Sequence, residues 1–393
     1  MSVDESRQRR QQLIEQLRAS GALRDEAVAG AFRAVPREIF LPGLPLDQVY
    51  QDQAIVTKEE NGVGVSSSSQ PAIMAIMLEQ LDVRPGMQVL EIGAGTGYNA
   101  ALLQELVGES GRVVTVDIDP EIAGWARERL RAAGYPRVAV VCADGAEGYA
   151  PVAPYDRVQL TVGSAEIAPA WAEQLSPGGR LVLPLWVNTA QLSVCFERCD
   201  DHLVSRSLQP CGFMAIRGAL AGPNRYAPLA NDLMVMPGRS ALPLDELAGL
   251  LRRPGGSQPV PLGLTPGWGF TLWLALRGDR VLGVISHESA VGFSGAGFGL
   301  YLGGAEPGIA LLVLPADESR PADLVWFGAP RARDVLLREL AAWRAAGEPV
   351  TGDFELAAYP RATAPQPAPD QAAIDTAYWR LLFTLPGAAL ASG

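Results

Sequence analysis

Three glycines at alternate positions after a short apolar run are the residues whose spacing most clearly indicates chemistry. Residues 89–92 read Val-Leu-Glu-Ile, and Gly93, Gly95 and Gly97 follow. The apolar run predicts a buried parallel strand, and the glycines predict a turn whose missing Cβ atoms let the backbone approach a ligand. Dinucleotide-binding folds use a similar spacing, so the glycines by themselves predict a cofactor site without identifying the cofactor.

Carboxylates near this turn indicate which cofactor it takes. Asp117 ends the next β-rich run, 112–117, where an acid can accept hydrogen bonds from the ribose hydroxyls of an adenosine. Glu91 precedes the glycines, and it would repel a pyrophosphate but not a cationic sulfonium. Asp144 ends a third run beside Gly145, where an acid can receive the adenine amino group. These residues predict a site for S-adenosyl-L-methionine rather than for NAD.

Four consecutive serines, Ser66–Ser69, precede an apolar helix that is predicted to begin at Pro71. One helix cap needs one hydroxyl, so four serines exceed that need. Hydroxyls and free backbone N–H groups at a helix start form a site for a carboxylate, which the helix dipole stabilises further. A flexible serine linker with a single cap is the alternative interpretation.

Strands and helices alternate around these residues, which predicts a doubly wound, mostly parallel α/β sheet. The predicted strands cover residues 89–92, 112–117, 138–142, 155–161 and 179–184, with helices near 121–133 and 169–175 between them. An antiparallel hairpin, 191–208, closes one edge, and helices 5–18 and 25–34 form an N-terminal cap. Residues 50–64 are expected to form a connection with a solvated polar tip. The cofactor is expected across the carboxyl ends of the first strands.

The remaining chain predicts a second, smaller α+β domain. Residues 219–230 hold glycine and prolines and are expected to be a linker, so the predicted domains are 1–220 and 221–393. β-rich runs follow, with one amphipathic helix near 331–346. The glycine cluster 292–308 is expected to form tight turns rather than a ligand site.

Charge and composition disfavour several classes of partner. The chain carries 32 Lys+Arg against 43 Asp+Glu, a net charge of -11, so nucleic acid and anionic membranes are not expected partners. Its charged start predicts no secretory signal, and no apolar stretch approaches the roughly 18 residues that span a bilayer. With four cysteines and no C-x-x-C pair, we expect a cytoplasmic protein and no metal site at Cys195, Cys199, His202 and Cys211.

Six short motifs follow one another over about the first 220 residues. They are 35–42 (Val-Pro-Arg-Glu-Ile-Phe-Leu-Pro), Tyr50 with Asp52, 69–71 (Ser-Gln-Pro), 91–98 (Glu-Ile-Gly-Ala-Gly-Thr-Gly-Tyr), 144–149 and 174–181. The glycine motif indicates a methyltransferase, whereas the first and third motifs are far more specific. Together the motifs resemble those of the protein-L-isoaspartate O-methyltransferase family.

The resemblance implies a class I S-adenosyl-L-methionine-dependent methyltransferase that acts on the α-carboxylate of isoaspartyl residues in proteins or peptides. The ester then collapses to a succinimide, and hydrolysis returns some normal aspartate, which is a repair reaction. Ser69 matches the family's active-site serine and is the candidate catalytic residue, with Ser67 and Ser68 as candidate cofactor-binding residues. A carboxylate is already ionised near pH 7, so no base is required; His202 and His287 are the only histidines.

Three departures from the family leave alternatives open. Residues 57–65 replace a short glycine-containing loop, residues 212–218 replace a Phe-Val-Pro-Leu segment, and about 160 residues follow the matched part. Relatives that convert an ordinary aspartate of a dedicated peptide to an aspartimide resemble this chain in carrying a C-terminal extension. Peptide tailoring is therefore one alternative, and a non-catalytic peptide-binding module is another. Methylation of a nucleobase is disfavoured by charge and by Thr-Val-Gly-Ser at 161–164.

Overall fold

The computed structural model describes residues 3–387 except 223–226, 231–232, 239–240, 254, 279, 287–292 and 316–319. His287 and Gly292, which begins the glycine cluster, lie outside the described residues. In the part of the chain that is described, no helix is long and apolar enough to cross a membrane. No group of three or more His, Cys, Asp or Glu side chains there is placed to hold a metal ion.

The N-terminal part is a helical cap followed by a hairpin. Its elements are α1 (Val3–Ala19), α2 (Glu26–Ala34), α3 (Leu46–Val49), β1 (Ile55–Glu60), β2 (Val63–Ser68) and α4 (Pro71–Leu81). The hairpin β1–β2 stands where a solvated tip was expected. Asn61 and Gly62 both have positive φ (53° and 75°), as an Asn-Gly hairpin turn requires, so these two residues are the signal that predicts it.

A parallel sheet forms the centre of the fold. Its elements are β3 (Gln88–Ile92), α5 (Tyr98–Val107), β4 (Arg112–Asp117), α6 (Pro120–Ala132), β5 (Ala139–Cys142), β6 (Tyr155–Leu160), α7 (Pro169–Glu173) and β7 (Leu175–Val187). The strands lie in the order β7-β6-β3-β4-β5, with every neighbouring pair parallel. The apolar runs are buried because helices cover both faces. The predicted doubly wound α/β fold is confirmed.

Two antiparallel strands first extend the parallel sheet beyond β7, and the strands after them build a second sheet. The elements are β8 (Ala190–Arg198), β9 (Leu203–Pro210), β10 (Ala227–Ala230), β11 (Leu233–Pro237), α8 (Leu244–Leu251), β12 (Gly255–Val260), α9 (Leu264–Arg277), β13 (Val281–Ser286), β14 (Gly295–Leu302), β15 (Gly308–Val313), β16 (Ala322–Gly328) and α10 (Arg331–Ala345). Among the described residues, seven strands form this second sheet in the order β10-β11-β13-β14-β15-β16-β12. The glycine cluster lies mostly in β14 and β15 rather than in turns alone.

The last strands belong to the first sheet, whereas the predicted boundary at residue 220 places them in the second domain. They are β17 (Glu355–Pro360), β18 (Gln371–Asp375) and β19 (Trp379–Thr384). β17 pairs with β9 through Ala357–Val204 and Ala358–Leu203, so the first sheet has ten strands in the described residues. The hairpin β8–β9 leaves an open edge that another strand can cover, and no local pattern in the sequence reveals which one does.

A buried carboxylate fastens these last strands to the loop after β6. Glu166 accepts hydrogen bonds from the hydroxyl of Thr376 (2.8 Å) and from the backbone N–H groups of Ala377 (2.6 Å) and Tyr378 (3.2 Å). The indole of Trp379 donates to the carbonyl of Ile167 (2.8 Å). The C-terminal hairpin therefore holds a loop whose first residues reach the carboxyl ends of the parallel strands.

We expect Glu166→Ala to lower the free energy of unfolding by about 1–3 kcal/mol, because it removes the charged acceptor of three part-buried hydrogen bonds from residues 376–378. Urea unfolding measures the change. Glu173→Ala, at an exposed position on α7, is the control and should change stability by less than about 0.5 kcal/mol. Equal stability of the two variants would contradict the fastening role of Glu166.

Candidate active site

A cavity of about 320 Å³ lies at the carboxyl ends of the parallel strands. Its wall combines four segments that are far apart in the chain: residues 65–70, 92–96, 116–118 and 210–217. A cavity of this size is in the range that small-molecule ligands occupy. The parallel pairing of β3 with β4 and β6 brings these strand ends to one edge of the sheet.

The glycine turn lets backbone form the floor of this cavity. Gly93 and Gly95 line it with φ of 99° and 52°, and a Cβ on Gly93 would lie 2.5 Å from the hydroxyl oxygen of Thr161. Gly97 differs, because it begins α5 and packs against α6, where a Cβ would approach the carbonyl of Ala126 to 3.2 Å. Two of the three glycines therefore border the ligand space and the third sets the helix packing.

Asp117 places a carboxylate on the cavity wall beside the glycine turn. Its Oδ2 accepts a hydrogen bond from Gly95 N–H (3.1 Å) and its Oδ1 from Asp119 N–H (3.1 Å). Burial raises the pKa of Asp117. A carboxylate has about four acceptor positions, so two remain for the hydroxyls of a ribose. This donor set fits an adenosine-containing cofactor.

Asp144 lies behind the cavity wall, whereas Gly145 borders the cavity. One oxygen of Asp144 accepts from Ala146 N–H (2.9 Å) and the other from Ala219 N–H (2.7 Å). A Cβ on Gly145 would lie 2.4 Å from Cγ2 of Ile92, so the backbone there packs directly on the strand. Asp144 thus joins the turn after β5 to residues 218–220.

Glu91 is fully buried beneath the cavity and does not line it. Its carboxylate accepts hydrogen bonds from Asn99 Nδ2 (2.8 Å) and from the hydroxyl of Thr115. Asn99 Nδ2 also donates to Gln159 Oε1 (3.1 Å), and Asn99 does border the cavity. Burial raises the pKa of Glu91 to about 7. Glu91 can therefore act on the ligand space only indirectly, through its hydrogen bond with Asn99 and through the charge of its ionised form.

The serine segment lines the opposite side of the cavity, with Ser67, Ser68 and Ser69 all on its wall. Helix α4 is held at its start by a more distant acid: Asp52 accepts from Ala72 N–H (2.8 Å) and from the side chain of Gln70 (3.0 Å). Gln70 is the N-cap residue, and no side chain caps the helix from that position. The single-cap interpretation of the serines is therefore wrong. The hydroxyl of Ser68 is buried and has no partner among the described residues.

A cluster of charges at the rim was not predicted. Lys58 of the β1–β2 hairpin lies 2.7 Å from Asp119, 2.9 Å from Glu121 and 3.5 Å from Glu60. Arg217 reaches the same Asp119 at 3.4 Å. The hydrogen bonds with Asp119 and Glu121 raise the pKa of Lys58.

Two of the three departures from the family pattern, residues 57–65 and 212–218, thus meet at one aspartate. The only available signal was Asp119 itself, because an Asp before Pro120 predicts a helix cap, and it does accept from Glu121 N–H (3.0 Å). Lys58 and Arg217 gave no signal, since 61 and 98 residues separate them from Asp119.

We expect Glu91→Gln to gain stability relative to the native chain as pH rises. Below pH 4.5 Glu91 is protonated in both the folded and the unfolded chain; between pH 4.5 and about 7 the unfolded chain loses its proton first, so native stability falls with pH. The difference should change by roughly 3 kcal/mol across this window in urea unfolding. Glu128→Gln, exposed on α6, controls for charge. A difference independent of pH would contradict the raised pKa of buried Glu91.

We expect Lys58→Met to weaken binding of S-adenosyl-L-homocysteine roughly threefold to tenfold, because the hairpin loses its ion pairs with α6. Binding of the native chain should weaken with added salt, and binding of the variant should not. Lys58 is the only lysine of the chain, so amine-reactive labelling that is mapped to this residue, apart from the α-amino group, also reports when the hairpin opens. Glu59→Gln, exposed on the same strand, is the control. Unchanged affinity in the Lys58 variant would separate the hairpin from cofactor binding.

Comparison with known proteins places this cavity in a family. The family description "Protein-L-isoaspartate(D-aspartate) O-methyltransferase" matches residues 8–220. A protein-L-isoaspartate O-methyltransferase of Methanopyrus kandleri is 45% identical over 161 residues, which are 41% of this chain and 69% of the relative. One of Hyperthermus butylicus is 38% identical over 221 residues, 54% of this chain and 90% of the relative.

A solved structure extends the similarity beyond residue 220. It is a protein-L-isoaspartate O-methyltransferase with a TM-score of 0.52 and 28% identity, and the match covers 88% of this chain and 96% of that one. The expected family, enzyme class and cofactor are confirmed. The chain belongs to the protein-L-isoaspartate (D-aspartate) O-methyltransferase family and is a methyltransferase that uses S-adenosyl-L-methionine.

Proposed function

We propose that the protein transfers a methyl group to the α-carboxylate of L-isoaspartyl residues in proteins or peptides, as the first step of repair. One observation supports this proposal most directly: a single cavity is lined by two sets of residues. One set is Asp117 with the glycine turn, and the other is the serine segment 67–69 with the start of α4. The first set suits a nucleoside, and the second suits an anion. An acceptor carboxylate beside the cofactor is the arrangement that this reaction needs.

The residues of the chain act by binding and by excluding water. S-adenosyl-L-methionine supplies an electrophilic methyl group when it is bound. Ser69 is proposed to donate its hydroxyl proton in a hydrogen bond to the acceptor carboxylate, which fixes the attacking oxygen. Ile73, Met74 and Phe213 line the same cavity and would strip water from that oxygen. No proton has to be removed, because the acceptor is ionised near neutral pH.

On the cofactor side, we assign Asp117 to the ribose, Gly93, Gly95 and Gly145 to close backbone contact, and Ser67 and Ser68 to polar contact with the cofactor. Three further residues are assigned indirect roles that follow from their positions. They are Gly97 in helix packing, Glu91 as a buried charge below Asn99, and Asp144 as a support of the cavity wall.

The product chemistry needs no further group from the protein. The backbone nitrogen that follows the esterified residue attacks the ester carbon, a C–N bond forms, and the C–OCH₃ bond breaks. The amide proton leaves with methoxide as methanol, and a succinimide remains. Water then opens the ring at either carbonyl, which gives aspartate or isoaspartate.

A second candidate is esterification of an ordinary aspartate in a dedicated peptide. Residues 57–65 and 212–218, two of the three departures from the family pattern, contribute Val65 and residues 212–217 to the cavity wall and would shape its acceptor side. The C-terminal region does not favour this candidate by itself, because a solved protein-L-isoaspartate O-methyltransferase matches 88% of the chain.

The test is methyl transfer from labelled S-adenosyl-L-methionine to two peptides that differ in one residue, isoaspartate or aspartate. We expect the isoaspartyl peptide to react at least tenfold faster, and Ser69→Ala to lower that rate by roughly tenfold or more while affinity for S-adenosyl-L-homocysteine stays within about twofold. Ser20→Ala, exposed at the end of α1, is the matched control.

The other outcomes discriminate between the alternatives. Preference for aspartate would replace repair by peptide tailoring. Cofactor binding without transfer to either peptide would support a non-catalytic peptide-binding module. If Ser69→Ala lost cofactor affinity and turnover together, the serine would serve the structure of the segment rather than the acceptor.

A further inference from the structure

Arg37 carries a buried charge that the assigned roles leave unexplained. It begins the short 3₁₀ helix Arg37–Phe40, and its side chain is 0% exposed. One terminal nitrogen donates to the carbonyl of Ser69 (3.1 Å), and the other lies 4.0 Å from the sulfur of Met74. Its Nε has no partner among the described residues. The guanidinium also faces the ring of Tyr98, 5.2 Å from its centre.

A second buried arginine shows how unusual this environment is. Arg157 lies at the other end of α4, where it donates to the carbonyls of Leu81 (2.6 Å), Asp82 (3.1 Å) and Asp156 (2.9 Å), with the Asp82 carboxylate 4.0 Å away. Among the described ion pairs within 4 Å, none includes Arg37. Arginine stays charged in proteins, so Arg37 is a buried cation that has no ion-pair partner within 4 Å among the described residues, although the charge of Asp52 acts on it from further away.

The bond from Arg37 also fixes the direction of a backbone donor. The carbonyl of Ser69 and the N–H of Gln70 belong to one trans peptide unit, so they point in opposite directions. Since the carbonyl points at buried Arg37, the N–H points away from it, toward the side of the segment where Ser69 and Gln70 line the cavity. Among the described residues, no hydrogen bond from this N–H occupies it.

We propose that Arg37 is a positioning residue for the acceptor: it aims the N–H of Gln70 at the acceptor carboxylate and supplies the positive charge that this buried anion lacks. The inference rests on the proposed function, because it takes the ligand of the serine segment to be a carboxylate. Polarisation of the shared peptide unit by the guanidinium strengthens the N–H as a donor. Asp52 balances the charge of Arg37 only from a distance, since its two oxygens accept from Gln70 and Ala72 and no ion pair joins it to Arg37 within 4 Å.

The test compares Arg37→Met and Arg37→Lys with Arg157→Met as the matched control in the full chain. We expect Arg37→Met to raise KM for the isoaspartyl peptide about 10- to 100-fold while affinity for S-adenosyl-L-homocysteine stays within about twofold. Arg37→Lys keeps the charge and should fall between the native chain and Arg37→Met. Arg157→Met should lower the melting temperature without changing KM.

A neutral probe separates positioning from general support. An isoasparaginyl peptide, in which an amide replaces the acceptor carboxylate, should inhibit the native enzyme and Arg37→Met equally. If the arginine variants lost affinity for the neutral and the charged peptide to the same degree, or lost cofactor affinity as well, the proposal would be overturned. Should Arg37→Met not fold, an unchanged KM in Arg37→Lys together with unchanged inhibition would overturn it. A native chain that methylates neither the isoaspartyl nor the aspartyl peptide would instead refute the proposed function.

Discussion

The site depends on the register in which β3 pairs with β4. Glu91 lies opposite Thr115 and Ile92 opposite Val116, so β3 breaks into glycine beside the point where β4 ends in Asp117. Gly93 N–H donates back to the carbonyl of Val116 (2.8 Å), which extends the pairing into the turn. A shift of one residue would turn the carboxylate of Asp117 to the other face of the sheet. The ligand space, the buried Glu91 and the donors around it all follow from this one alignment.

The rest of the chain holds this edge of the sheet in place. The loop after β6 contributes Thr161 to the floor, and further along it Glu166 binds the turn before β19. One apolar core joins the parallel sheet to α9 and α10, with Trp273 and Trp343 fully buried in it. The C-terminal region is therefore part of the structure that supports the cavity wall.

Buried charge is distributed unevenly around the cavity. On the side of the glycine turn, burial raises the pKa of Glu91 to about 7, and Asn99 and Thr115 donate hydrogen bonds to its carboxylate. Arg37 on the acceptor side keeps its charge and has few partners. A cationic cofactor beside the first and an anionic acceptor near the second would complete both environments. This electrostatic asymmetry is what the proposed pair of oppositely charged ligands requires.

The sequence by itself determined the family, the doubly wound sheet and the cofactor, because each of these lies in short motifs. Gly93, Gly95 and Asp117 could be placed at the cavity from the sequence, because a tight turn and a strand end are both indicated by the residues next to them. The hairpin turn at Asn61 and Gly62 could also have been predicted from these two residues, although the polar residues on either side favoured a loop. Tertiary structure alone decided that Lys58 and Arg217 meet at Asp119, that β17 joins β9, and that Arg37 lies beneath Ser69. These contacts join residues 32 to 155 positions apart, and which surfaces meet over such separations is set by how complete elements pack, not by any local pattern.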